Sequence, residues 1–172
     1  MAQFFDHIPE NLQAFIARQK LFFIATAASS GRISLSPKGM DTFRCLGAHM
    51  CAYLDLTGSG SESIAHVRQN GRIVFMLCAF AGPPRIVRLH GHARIVAPPD
   101  PAWPELRGRF PEYPGARAIV VADITRVSDS CGFGVPRYEH VEDRDTLPRW
   151  AGRKGPEGLG RYREQKNARS ID

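Results

Sequence analysis

Hydrophobic and polar positions along the 172-residue chain change their period several times, and each change marks an element. Between Pro9 and Lys20, Leu12, Phe15, Ile16 and Gln19 recur at helical spacing, which predicts an amphipathic helix with Pro9 at or near its first turn, packed as a lid. Leu21 to Ala27 is a continuous apolar run suited to a buried strand; Ser29-Ser30-Gly31 turns it into a second strand, Arg32 to Ser36, which Pro37-Lys38-Gly39 breaks. Cys51 to Leu56 is a third extended segment. It leads through the polar loop Leu56-Thr57-Gly58-Ser59-Gly60-Ser61 into a short helix closed by Asn70-Gly71. Arg72 to Phe80 is again apolar, and Gly82-Pro83-Pro84 turns the chain into its clearest period-two segment. There Val87, Leu89, Gly91, Ala93 and Ile95 share one face, and Ile86, Arg88, His90, His92 and Arg94 share the other. Pro98 to Pro101 ends that strand, Ala102 to Arg109 is a plausible short helix, and Arg117 to Val127 is a last strand rich in Ile and Val.

Six strands with short connections, one internal helix and peripheral helices predict a mainly β fold, a six-stranded, closed or nearly closed antiparallel barrel. A doubly wound fold needs more helices between strands. The length suits a single domain, residues 1–172, with a core large enough to need no staples. A hydrophobic share of 43% with 23% charged residues excludes a mostly disordered chain. Net charge is +6, and the excess is concentrated in residues 145–172, where Arg149, Arg153, Lys154, Arg161, Arg163, Lys166 and Arg169 face few acids. That segment is expected to be a basic extension, helical or partly ordered, and solvated rather than a functional phosphate or RNA contact. The basic balance favours an anionic small molecule over nucleic acid as partner. Cys45, Cys51, Cys78 and Cys131 form no C-x-x-C pair, so a zinc ribbon is excluded and reduced thiols are expected. No segment is long enough to span a bilayer and no leader pattern opens the chain; the expected compartment is the cytoplasm.

The loop at 56–61 carries the sharpest chemical signal. A helix start offers free N–H groups and partial positive charge, which suits a phosphate. Ser59 followed three residues later by Glu62 matches a capping box, so the helix is expected to begin after Ser59. Arg32, Ser34 and Ser36 alternate on one face of the second strand and Lys38 follows, so cations, hydroxyls and helix N–H groups could converge on one phosphate. The competing account is a tight turn plus a helix cap with no ligand.

These residues resemble a known family. Arg32-Ile33-Ser34-Leu35-Ser36-Pro37-Lys38-Gly39, Tyr53 to Glu62, Gly71-Arg72-Ile73 and Pro84 to Gly91 look like the pyridoxamine phosphate oxidase-related flavin-binding proteins, over roughly Leu21 to Val127. The resemblance implies a split β-barrel homodimer with FMN at the subunit interface, acting as an oxidoreductase on a small molecule. It implies cofactor contacts from Arg32, Ile33, Ser34, Leu35, Ser36 and Lys38, from the loop residues Thr57, Gly58, Ser59 and Ser61, and from Arg88. Three departures separate the chain from the vitamin B6 oxidases. Gly60-Ser61 stands where those enzymes carry Arg-Lys, Ile86 stands where they carry glutamine, and their C-terminal Arg-Leu signature is missing. Pyridoxamine phosphate oxidation is therefore not the expected activity. The segment Ser128 to Tyr138, with Cys131-Gly132-Phe133-Gly134, resembles an uncharacterised branch of the same family.

No catalytic residue is assigned. Cys131 lies among glycine-rich turns and is a candidate exposed thiol, while Phe133 and Tyr138 are candidates for stacking near a flavin or its substrate. His90 and His92 share a strand face but have no evident third ligand, and His49, His66 and His140 are isolated, so no metal site is expected. Two alternatives remain: the same barrel holding deazaflavin F420 or haem, and a non-catalytic binding module that uses the basic tail.

Overall fold

The computed structural model describes residues 2–168. In chain order the elements are β1 (Gln3–Phe5), α1 (Glu10–Ala17), β2 (Phe22–Ala27), β3 (Ile33–Lys38), β4 (Phe43–Cys45), β5 (Met50–Leu56), α2 (Glu62–Asn70), β6 (Arg72–Cys78), β7 (Ile86–Val96), α3 (Trp103–Arg107), β8 (Ala116–Ser130) and α4 (Thr146–Lys166). All strand pairs are antiparallel, in the order β3-β2-β6-β7-β8-β5-β4. Fifteen-residue β8 is the spine. One of its edges pairs with β7; along the other, β5 takes Ala116 to Asp123 and β1 takes Val127 to Asp129. The result is a curled, half-barrel sheet with helices at its periphery.

The six strands read from the sequence are β2, β3, β5, β6, β7 and β8, and the short β1 and β4 add to them. Three residues each is too little to establish a period, so pairing rather than pattern makes these two strands. Pro37 does not end β3, which runs through it to Lys38. β3 lies at an open end of the sheet, where a missing N–H costs no ladder bond. The start of α2 also differs from the capping-box expectation. Ser61, not Ser59, is the N-cap, and it makes no side-chain cap bond because its Oγ donates to the carbonyl of Asn167, 3.0 Å away. The far end of α2 is as read, with Gly71 at φ 72° in the left-handed region. Mid-strand Gly91 marks a bulge against β8, where any Cβ would collide with the Asp123 carbonyl.

The core lies inside the curl. Phe22, Phe43, Tyr53 and Phe75 stack across it from β2, β4, β5 and β6, with Phe22–Phe43 centroids 4.9 Å and Phe43–Phe75 centroids 5.1 Å apart. These tilted and edge-on contacts join strands from opposite ends of the sheet order, so they hold the curl closed. Leu12, Phe15 and Ile16 of α1 are buried in the same cluster, so the helix covers the core as expected of a lid. A second cluster, Leu54, Val96, Phe110, Ile119 and Val121, lies under α3. Among the described residues no helix is long and apolar enough to cross a membrane.

Tyr53 is fully buried, and its hydroxyl has no partner among the described residues. Burial, with the neighbouring Asp55 charge, pushes its phenol well above the usual tyrosine value, against a smaller pull from Arg117. A folded-state value raised this way leaves stability intact below the ordinary tyrosine pKa and removes it as pH climbs beyond that value. In a tyrosinate absorbance titration, we expect Tyr53 to ionise only as the protein unfolds. The Tyr53→Phe variant should lose that unfolding-linked step, and an early, reversible ionisation of all four tyrosines would contradict the packing.

Candidate functional site

The site begins with one buried carboxylate. Asp55 on β5 is 3% exposed and forms a close ion pair with the Nε of Arg117 on β8, itself only 9% exposed. The rest of that guanidinium is also committed: one Nη donates to the Gly60 carbonyl at 2.7 Å and the other to the Asn167 side-chain oxygen at 2.8 Å. The ammonium of Lys38, at the end of β3, lies 3.9 Å from the second Asp55 oxygen. β3 and β5 stand near opposite ends of the strand order, so this contact ties the sheet's two edges together.

Between those edges is a cavity of about 570 Å³. Its walls include Ser36 and Lys38 from β3, Gly58, Ser59 and Gly60 from the loop, and Arg117. Leu54, Leu56, Pro37, Met40 and Leu147 supply an apolar side. The structure thus brings the loop and the second half of β3 to one place, although β4 and β5 separate them in sequence. Glu62 also reaches in, its carboxylate folded back so closely over Gly60 that a Cβ there would collide with it.

Not every residue of the expected set lines this cavity. Arg32 precedes β3 and is exposed; six residues of extended chain put its backbone about 20 Å from that of Lys38, beyond reach of the same small group. Ile33 and Leu35 turn outward from β3 and are 74% and 64% exposed, with Ser34 on the more protected face between them. Thr57 is buried, its hydroxyl donating to the Gly115 carbonyl at 2.8 Å and accepting from the Nε of Arg163 at 2.9 Å. Ser61 opens onto a different cavity, on the other side of the loop. Arg88 lies on β7 and donates to the Ser130 hydroxyl at 3.2 Å, away from the loop.

Sequence reasoning missed Asp55, Arg117, Arg163 and Asn167. Asp55 carried a signal, a single carboxylate within the apolar run Tyr53-Leu54-Asp55-Leu56. The other three needed the long-range pairing of β8 and the return of α4 onto the loop. Met40 and Asp41, at φ 64° and 53°, hold the turn after β3 in the left-handed region, at the edge of the same cavity. Of the other candidates, Cys131 is exposed, Phe133 is 83% exposed, and Tyr138 packs on Phe80 with centroids 5.6 Å apart. His90 and His92 line a separate 380 Å³ cavity with Ile33 and Arg72. Among the described residues no three His, Cys, Asp or Glu side chains gather as a metal set.

Comparison with known proteins agrees with this architecture. Residues 8–131 match the family model described as pyridoxamine 5'-phosphate oxidase. The whole chain aligns, at 37% identity over 190 positions and 76% of the relative's length, with the pyridoxamine 5'-phosphate oxidase family protein ustO of Aspergillus flavus. Among solved structures, 70% of the chain superposes on 91% of the HupZ chain of Group A Streptococcus, with a TM-score of 0.55 and 20% identity. A FAD-binding protein of Mesorhizobium loti matches 75% of this chain and 96% of its own, with a TM-score of 0.53 and 12% identity.

Replacing Asp55 by the isosteric Asn leaves Arg117 buried without its counter-charge. We expect Asp55→Asn to cost about 3 kcal/mol, read in urea as a lower midpoint with an unchanged slope. A loss under about 0.5 kcal/mol, typical of an exposed pair, would show that the carboxylate does not organise the site.

Proposed function

Because the chain belongs to the pyridoxamine 5'-phosphate oxidase family, we propose that it is a homodimeric flavoprotein that holds FMN in the cavity between β3 and the 57–61 loop and acts as an oxidoreductase on a small molecule. The observation that carries this reading is the convergence of Ser36, Lys38, Gly58, Ser59 and Gly60 on one cavity beside Arg117. FMN needs cations and N–H donors for its phosphate and an apolar slot for its ring, and this cavity offers both kinds of wall. Lys38 and the start of α2 serve the phosphate, Ser36 and Ser59 offer hydroxyls, and Leu54, Leu56 and Met40 offer apolar surface. A phosphate on the loop takes the position now held by the Glu62 carboxylate, so Glu62 turns outward on binding.

The outer face of β3 supports the dimer. Ile33 and Leu35 are large, exposed and apolar on an unpaired edge strand, a surface that soluble monomers avoid. A partner seated there would cover both residues and close the flavin cavity from outside. Arg32 and Arg88, which lie away from the cavity within one chain, would then face the cofactor of the other. Bound FMN supplies hydride transfer; this chain's residues bind and orient it and shield it from water. With Gly60-Ser61 on the loop and Ile86 on β7, the substrate is not expected to be pyridoxamine phosphate. Residues 1–172 are read as one such domain, with 145–172 as its basic extension, in the cytoplasm.

Titration of FMN and of riboflavin, each followed by fluorescence quenching, separates phosphate from ring contacts. Lys38→Gln should weaken FMN by roughly tenfold, the value of one charge-assisted contact, and leave riboflavin within about twofold. Equal binding of FMN by wild type and variant would remove Lys38 from the site, and no binding by wild type would remove the flavin. The Leu35→Asp variant should sediment as a monomer and retain less FMN. A dimer of unchanged stability would place the interface elsewhere.

A further inference from the structure

On the other side of the 57–61 loop is a second cavity, of about 350 Å³, beneath the end of α4. Three guanidinium-bearing residues line it, Arg68 from α2, Arg117 from β8 and Arg163 from α4, with Ser61 and Asn167 at its edge and Ile64 among its apolar walls. Among the described residues no acidic side chain is part of that lining. Arg117 makes one hydrogen bond from each of its three nitrogens, to Asp55, Asn167 and Gly60, which leaves one N–H on each Nη. Arg163 uses only its Nε, on Thr57; its two Nη groups and the whole Arg68 guanidinium make no hydrogen bond or ion pair among the described residues. Burial and the charge of Arg117 hold Arg163 below its usual range, and Asp55 offsets this only in part. Three like charges around a small cavity with one carboxylate behind them form an arrangement that an anion relieves.

From this geometry we infer that the Arg68–Arg117–Arg163 cavity is a second anion site, which binds the phosphoryl group of a small phosphorylated molecule independently of the flavin cavity. Guanidinium forks pair two oxygens at once, and a doubly charged tetrahedral oxyanion satisfies forks arriving from two elements better than chloride does. The site is also built by the chain's end. Asn167 holds α4 against the loop through its side chain to the Gly58 carbonyl at 3.1 Å and through its own carbonyl to Ser61, and both Arg163 and Asn167 lie beyond the 8–131 segment that matches the family. A phosphorylated ligand here would stiffen α4 and the loop together, and through Arg117 it would touch the wall of the flavin cavity.

The test is pyrophosphate binding to the full-length protein by calorimetry, against sodium chloride of equal ionic strength, with no flavin added. Wild type should bind pyrophosphate in a way chloride does not reproduce. Arg68→Gln and Arg163→Gln should each weaken it roughly tenfold, as loss of a charged contact does, and Arg163→Lys should recover part of the loss. Arg68 is exposed, so its variant reports on the site even if Arg163→Gln loosens α4. Lys38→Gln removes any share of the binding that belongs to the flavin cavity, so the arginine-dependent share should persist in it. The inference falls if wild type binds no pyrophosphate, if both arginine variants bind as wild type does, or if Lys38→Gln abolishes binding. The last outcome would assign the phosphate to the flavin cavity and leave the flavin reading standing, whereas failure of wild type to bind FMN would leave this site unaffected.

Discussion

Asp55 is the constraint on which the rest of the site depends. An ionised carboxylate is costly to bury unless its partners are fixed, and fixing them determines where three remote pieces of chain must lie. Arg117 comes from the spine strand β8, Lys38 from the far edge strand β3, and through Arg117 the pair reaches the loop carbonyl of Gly60 and the side chain of Asn167. The aromatic contacts among Phe22, Phe43, Tyr53 and Phe75 curl the sheet from within, but they are non-directional at this scale and would tolerate sliding. The ion pairs specify which residues meet once the curl is made. A flat sheet of the same strands would leave β3 and β5 at separate edges and have no cavity between them.

The legible part of the fold was that in which burial repeats with the period of the element. The alternation of Ile86 to Val96, the apolar run of β2 and the glycine stop after α2 are local facts, and the structure reproduces them. Elements decided by distant partners were not legible. β1 and β4 exist because β8 and β5 offer free edges, and β3 passes through Pro37 because its outer side pairs with no strand among the described residues. The site followed the same division. Ser36, Lys38 and the loop were found from spacing, whereas Arg117, Arg163 and Asn167 are one hydrogen bond away from that loop and more than fifty residues away in sequence. The helix cap departs from its local pattern for a related reason: Ser61 spends its hydroxyl on α4 rather than on its own helix.

The loop thus has two faces that suit different ligands. One looks into the larger cavity, with apolar walls and one flexible cation, which suits a cofactor with a ring and a phosphate. Its other face looks into a smaller, open cavity lined by three arginines and bordered by the C-terminal helix. Arg117 stands between them with one hydrogen bond from each of its three nitrogens, so Asp55, the loop and Asn167 set its position. The basic tail, expected to be a solvated extension, is part of the wall at Arg163 and Asn167. α4 thus adds to the wall from beyond the 8–131 segment that matches the family model.

In the reading proposed above, closure of the sheet through Asp55 creates a flavin site shared by two chains. That reading is tested most directly by incubating the purified protein with excess FMN, removing free ligand by gel filtration, and measuring what remains bound and the mass of the species that carries it. We expect one FMN per chain, identified by mass after denaturation, eluting with a dimer. Folded protein that retains no flavin, or a monomer that retains it fully, would contradict the account.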